Sequence, residues 1–245
     1  MKIHNIKTFP QCPEEIPLPD YKGKNTTEKK SGSRHYFTPK GTMVPSVSTV
    51  MGYDPEKIKT LNAWRKRVGK EKAAHITNQS CGYGNVLHDC LEKYLENDVD
   101  SLSEAYTKAE QTPRLMFSTI KEFVDKHVEK VFHQEKPVYS ERLGVAGRLD
   151  VLCQMNGMPT LLDFKNSRRP KRKAWVHGYC LQASCYAEMV SEHSGIDIKY
   201  FVIPIACFSG ELQVVTGKVS DYRKEMVDQI RRYYDEVYMP NEWKV

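Results

Sequence analysis

The first half of the chain carries apolar residues at spacings of three and four, and the second half carries them in alternation or short runs. From about Pro55 to Thr77, Ile58, Leu61, Trp64 and Val68 fall on one helical face. A second helix is predicted from about Gly84 to Glu96, with Leu87, Leu91, Tyr94 and Leu95 as its stripe. A third follows Pro113, which suits a first-turn position; its apolar face runs Met116, Ile120, Phe123, Val124, Val128 and Val131. The period then changes. Val138 to Leu143, Val145 to Met155 and Thr160 to Lys165 read as strands, with Asn156-Gly157 turning the chain between the last two. Ala174 to His193 reads as a helix, and Asp197 to Ile205 and Glu211 to Thr216 as strands. Ser220 reads as the N-cap of a closing helix to about Tyr238. Arg34 to Val50 reads as an extended lead-in or short strand. Helices followed by β-β-β-α-β-β-α predict an α/β fold: a mixed central sheet flanked by helices, with an N-terminal helical segment.

Composition narrows this picture. Residues 1–33 are polar and Lys-rich towards their end, and are expected to be a disordered or extended arm. The arm lacks the apolar core of a signal peptide, so an intracellular, cytoplasmic protein is expected, with residues 34–245 as a single domain. Apolar runs such as Phe201 to Phe208 are too short to span a bilayer. The seven cysteines show no CxxC pair and no zinc-like set with histidine. Lys plus Arg is 37 against 31 acidic residues, a net charge of +6, which suits a polyanion partner without demanding one. The basic residues cluster: Arg65, Lys66, Arg67, Lys70 and Lys72 in one run, and Arg168, Arg169, Lys171, Arg172 and Lys173 in another. One such run is ordinarily a solvated surface; two, one of them directly after a candidate site, favour phosphate binding.

The candidate chemistry sits on the hairpin. If Asn156 and Gly157 are the two loop residues, Met155 pairs with Met158, Asp150 falls opposite Asp163, and Arg148 opposite Lys165. Those four side chains share a face, and Leu149, Val151, Cys153, Leu162 and Phe164 take the other as core. Opposed carboxylates repel. A raised pKa, the neighbouring Arg148 and Lys165, or a bound divalent cation would each relieve that; a charged patch on an exposed sheet face is the competing reading. Hard oxygen ligands suit Mg2+ or Mn2+. His88 and Glu92 lie four apart beside the second helix's stripe, with Gly84 one turn earlier. Gln182 and Tyr186 are also four apart. Trp175 and Tyr179 read first as core packing, with stacking on splayed bases as the alternative.

Gly84-x3-His88-x3-Glu92, Gly147-Arg148-Leu149-Asp150, Asp163-Phe164-Lys165-Asn166-Ser167 and Gln182-x3-Tyr186 occur in this order. Together they resemble the RecB-type branch of the PD-(D/E)xK nucleases. Pro45-Ser46-Val47-Ser48-Thr49-Val50 and the basic helix through Trp64 look similar to the mitochondrial genome maintenance exonuclease and its phage relatives. The resemblance implies that Asp150, Asp163 and the Phe164 carbonyl ligate the metal, with His88 as a further ligand or a near neighbour. It makes Lys165 the catalytic lysine, with Gln182 and Tyr186 orienting it or the substrate. Glu141, on the preceding strand, is the weakest carry-over. Arg65, Lys66, Arg67, Lys70, Arg148, Arg168, Arg169, Lys171, Arg172, Lys173 and Trp175 are the expected DNA contacts. The implied activity is an exonuclease acting on single-stranded or frayed DNA ends in replication, recombination or repair. No iron–sulfur cluster is expected, because no cysteine follows Cys207. A structure-specific endonuclease of the same fold and a non-catalytic nucleic-acid-binding protein are the alternatives.

Overall fold

A computed structural model describes residues 3, 5–27 and 32–238 of the chain. Of the arm expected to be disordered or extended, residues 5–27 run along the body, with a 3-10 turn at Pro13–Glu15. Phe9 and Ile16 are each 1% exposed. Cys12 N donates to the Val131 carbonyl at 2.8 Å and Val131 N to the Pro10 carbonyl at 2.9 Å, so the arm lies along a sheet edge. Buried apolar contacts outweigh a polar composition here. Three short strands follow: β1 (Asn25–Thr27), β2 (Arg34–Phe37) and β3 (Met43–Pro45), paired antiparallel in that order.

The lead-in expected to be extended to Val50 turns helical two residues after Pro45. Ser46 caps α1 (Val47–Gly52), accepting from Thr49 N at 3.1 Å. Asp54 caps α2 (Pro55–Val68). That helix stops at Gly69, whose φ of 89° breaks what the spacing predicted as one helix to Thr77. Beyond it α3 (Lys70–Leu95) runs unbroken and absorbs the second predicted helix. Leu87, Leu91, Tyr94 and Leu95 are all buried, as their stripe requires. An unpredicted short helix, α4 (Val99–Lys108), buries only Leu102 and Tyr106. Next comes α5 (Gln111–His127), which ends before Val128.

The remaining elements are β4 (Val128–Gln134), β5 (Pro137–Ser140), β6 (Val145–Arg148), β7 (Val151–Met155), β8 (Met158–Leu162), β9 (Lys165–Ser167), α6 (Lys173–Ser194), β10 (Tyr200–Cys207), β11 (Leu212–Lys218) and α7 (Val219–Tyr233). Lys218, not Ser220, occupies the cap of α7, and residues 234–238 continue as a π-helical turn. The six-stranded mixed sheet has the order β11-β10-β8-β7-β4, with β9 also against β10. Strands β8 and β9 pair parallel with β10 in one continuous register, Leu162 opposite Val202 and Lys165 opposite Ile205. The β7–β8 hairpin has the expected register, Met155 opposite Met158 through Val151 opposite Leu162. Asn156 and Gly157, at φ 49° and 72°, supply its left-handed turn.

Both faces of this sheet are core. Leu152, Leu161, Phe201 and Ile203 pack with α1, α6 and α7. Val151, Cys153, Leu162, Phe164 and Val202 pack with α3 and α5. The predicted strand from Val145 to Met155 is broken at Leu149-Asp150: β6 pairs with β5 in a separate two-stranded sheet, and β7 with β4 and β8. Leu149 therefore joins the α6 side, not the side of Val151. Ser46 bridges Ala146 and ties the N-terminal strands to β6. No described helix is long and apolar enough to cross a membrane.

Candidate active site

Two breaks in the strands, at Leu149-Asp150 and at Asp163-Phe164, place two acids at one end of the sheet. Asp163 N donates to the Val202 carbonyl at 3.0 Å, so β10 carries the chain across its gap. Phe164 N donates to Asp150 Oδ2 at 2.8 Å, which ties the two breaks to each other. Alternation puts Asp163 on the α6 side, where it is 1% exposed and its Oδ1 accepts from Gln182 Nε2 at 3.2 Å. Lys165 Nζ lies 2.5 Å from Asp163 Oδ2. On the α3 side, His88 Nδ1 is 3.7 Å from Asp150 Oδ2. Glu135, in the two-residue link between β4 and β5, adopts a left-handed φ of 45°. Its backbone N donates to the Asp150 carbonyl at 2.8 Å. His88, Glu135 and Asp150 can each offer one ligand atom within 4.8 Å of the others. They open into a cleft of about 440 Å³ that Glu92 and Arg148 also line.

The charges here are held at a cost. Burial pushes the Asp163 carboxyl up, the Lys165 ammonium pulls it back, and the charge of Asp150 adds to the rise. Burial draws Lys165 down, but Asp163 and Asp150 outweigh it, and the ammonium is held above its ordinary value. Glu135 is pushed up to about 7, first by burial and then by Asp150 and Glu92. Burial also raises Glu92. Four carboxylates converging on one end of a sheet repel one another, and the donor set, hard oxygens with one imidazole, fits a divalent cation.

A family model described as the PD-(D/E)XK nuclease superfamily matches residues 63–242. The chain belongs to the PD-(D/E)XK nuclease superfamily. Nucleases of this superfamily generally use divalent metals such as Mg2+. No curated protein matches the chain. Among solved structures, a candidate exonuclease from Eubacterium rectale is 16% identical with a TM-score of 0.44, covering 64% of this chain and 65% of its own. The chain thus spans 65% of that protein's length. A protein designated SSO0001 is 13% identical with a TM-score of 0.32, covering 60% of this chain and 74% of its own.

Within this superfamily fold, Asp150, Asp163, Lys165, His88 and Gln182 converge. Phe164 is buried against α3, its ring centroid 6.2 Å from that of His88. Tyr186 is buried on α6, and its ring rests on Gly147, where a Cβ would come within 2.7 Å of the Tyr186 hydroxyl. That close approach gives Gly147 a packing role the sequence did not signal. Gly84 serves similarly: a Cβ there would meet Asn166 Oδ1 at 3.0 Å, and Asn166 Nδ2 donates to the Ser80 carbonyl at 2.9 Å.

Other expectations change. Arg148 does not face Lys165; β6 leaves the central sheet, and Arg148 lies 3.8 Å from Glu135. Glu141 sits in the turn between β5 and β6 and does not line the cleft, whereas Glu135, from the β4–β5 link, does. Arg65, Lys66 and Arg67 end α2 and Lys70 begins α3, all exposed and none lining the cleft. Arg168, Arg169, Arg172 and Lys173 are exposed on the segment from β9 to α6, and Lys171 is half-buried. Trp175 is 62% exposed, which removes the core-packing reading, and lies 6.0 Å from the Arg172 guanidinium. Tyr179 is half-buried beneath Lys165, 5.5 Å from its Nζ.

Proposed function

We propose that this chain is a Mg2+- or Mn2+-dependent deoxyribonuclease of the RecB-like kind, an exonuclease that prefers single-stranded or frayed DNA ends. The observation that supports this most is the meeting of Asp150, Asp163, His88 and Glu135 with the Lys165 ammonium at one end of the sheet. A divalent cation held by Asp150, Asp163, the Phe164 carbonyl and His88 would polarise a phosphoryl oxygen and lower the pKa of a bound water. Lys165, kept cationic by two carboxylates, neutralises charge that builds on the phosphate oxygens. Gln182 fixes the Asp163 carboxylate through its amide. Tyr186 closes the α6 wall behind it. The exposed bases of α2, α3 and the β9–α6 segment, with Trp175, follow the strand through phosphate contacts and stacking.

The test is digestion of end-labelled linear and circular single strands with Mg2+ or Mn2+ and with a chelator. Metal-dependent release of mononucleotides or short products from linear strands only is expected. Efficient cutting of circles would replace the exonuclease by an endonuclease, equal cleavage in chelator would remove the metal dependence, and no cleavage with any divalent cation would remove the nuclease reading.

A further inference from the structure

The cleft that holds His88, Glu135 and Asp150 is also lined by Arg34, Ser48 and Asn85. Arg34 opens β2, Ser48 lies in the first turn of α1, and Asn85 precedes His88 by three residues on the same face of α3. All three are exposed. Among the described residues the Arg34 guanidinium makes no hydrogen bond or ion pair, although Asp89, Glu92, Glu135 and Asp150 line the same cleft. Arg148, by contrast, is engaged with Glu135 at 3.8 Å. Ser48 Oγ meets only Ser46 Oγ, at 3.1 Å, and the Asn85 amide is uncommitted among the described residues. The frame beneath Arg34 is fixed: its carbonyl accepts from Ser46 N at 2.8 Å, and Ser46 bridges Ala146 on β6. Arg34 and Ser48 both precede residue 63, where the superfamily match begins.

We infer that Arg34, with the Ser48 hydroxyl and the Asn85 amide, forms an oxyanion subsite that grips a DNA phosphate next to the one attacked. This deepens the nuclease reading and rests on it for the identity of the anion. A guanidinium offers five donors in a fork that matches two phosphate oxygens. A hydroxyl and an amide complete the set without adding charge that would compete for the acids. The N-terminal strands thereby become part of the substrate channel. The acids of the cleft attract the cation, and Arg34 with its two neutral partners holds the strand.

The experiment compares wild type with Arg34→Ala, Arg34→Lys, Asn85→Ala and, as a control for generic charge, Lys224→Ala on exposed α7. Binding of a labelled single-stranded oligonucleotide is read by anisotropy across a salt series in chelator, and cleavage kinetics are read separately with Mg2+. Arg34→Ala is expected to weaken binding about tenfold and to lower the salt slope by about one. It should raise KM with kcat nearly unchanged, and Arg34→Lys should restore part of the loss. An Arg34→Ala protein that binds no worse than the Lys224→Ala control overturns the subsite, even if wild type cleaves DNA normally. If wild type cleaves nothing with any divalent cation while Arg34→Ala still loses binding and slope, the nuclease reading fails and the oxyanion subsite stands.

Discussion

Asp163 is 1% exposed, with its carboxylate held between Lys165 and Gln182, whereas Arg65, Lys66 and Arg67 are exposed on a helix, α2, that buries no residue. The two regions carry charge under opposite conditions. At the sheet end, burial makes each charge costly, so each acid needs a backbone donor, a lysine or a cation. On α2 and the start of α3, water screens the charges, and they can shift along a polyanion with little penalty. Chemistry that needs fixed geometry belongs to the first setting, and tracking of a flexible strand belongs to the second.

The comparison can be broken by removing one charge from the buried end. Lys165→Ala should lower cleavage about 10²–10⁴-fold while oligonucleotide binding changes little; equal losses in both would make Lys165 a binding group like the basic residues of α2. Stability sharpens the contrast next. Leu91→Ala, on the buried stripe of α3, should cost about 2–5 kcal/mol in denaturant unfolding. Leu61→Ala, on α2 where Leu61 is 41% exposed, should stay within about 0.5 kcal/mol. Similar costs for both would show that α2 is packed in solution. Mn2+ at about a hundred times its dissociation constant should stabilise wild type by about 2.7 kcal/mol, read as a raised melting temperature. Asp150→Asn should lose most of that increment, and an unchanged increment would move the cation elsewhere. In Gly147→Ala the new methyl meets the Tyr186 ring; about 1–3 kcal/mol of destabilisation is expected, and a neutral effect would show that Tyr186 moves freely.

The parts read from the residues are those set by local chemistry. Asn156-Gly157 determines its own turn, and the turn determines which residues of β7 and β8 pair, from Met155 opposite Met158 to Val151 opposite Leu162. The expected cross-strand pair of Asp150 with Asp163 inside the strands is not formed, because both strands break just there. The α3 stripe follows equally from spacing. Glu135 was hidden because Val124, Val128 and Val131 continue the helical spacing of α5 across the start of β4. A helix read through to Val131 leaves no strand end at Gln134 and hence no site for the next residue. The exit of β6 from the central sheet, which separates Arg148 from Lys165, depends on pairing with β5 rather than on any alternation. Arm residues Phe9 and Ile16 are isolated apolar positions in a polar stretch, and only tertiary contacts reveal that they are buried.

Among the described strands, β10 carries the chain across the gap at Asp163-Phe164, through Val202 on one side and Ile205 on the other. A hairpin released from the ribosome without that strand has its turn and its acids but no partner for the Asp163 amide. Closing this parallel pairing across some forty residues is slow, because loop entropy is lost before the contact forms. The charged cluster is therefore expected to be organised only once β10 has paired with β8 and β9. A nascent chain arrested before residue 200 would carry the complete acidic pair in an unorganised form.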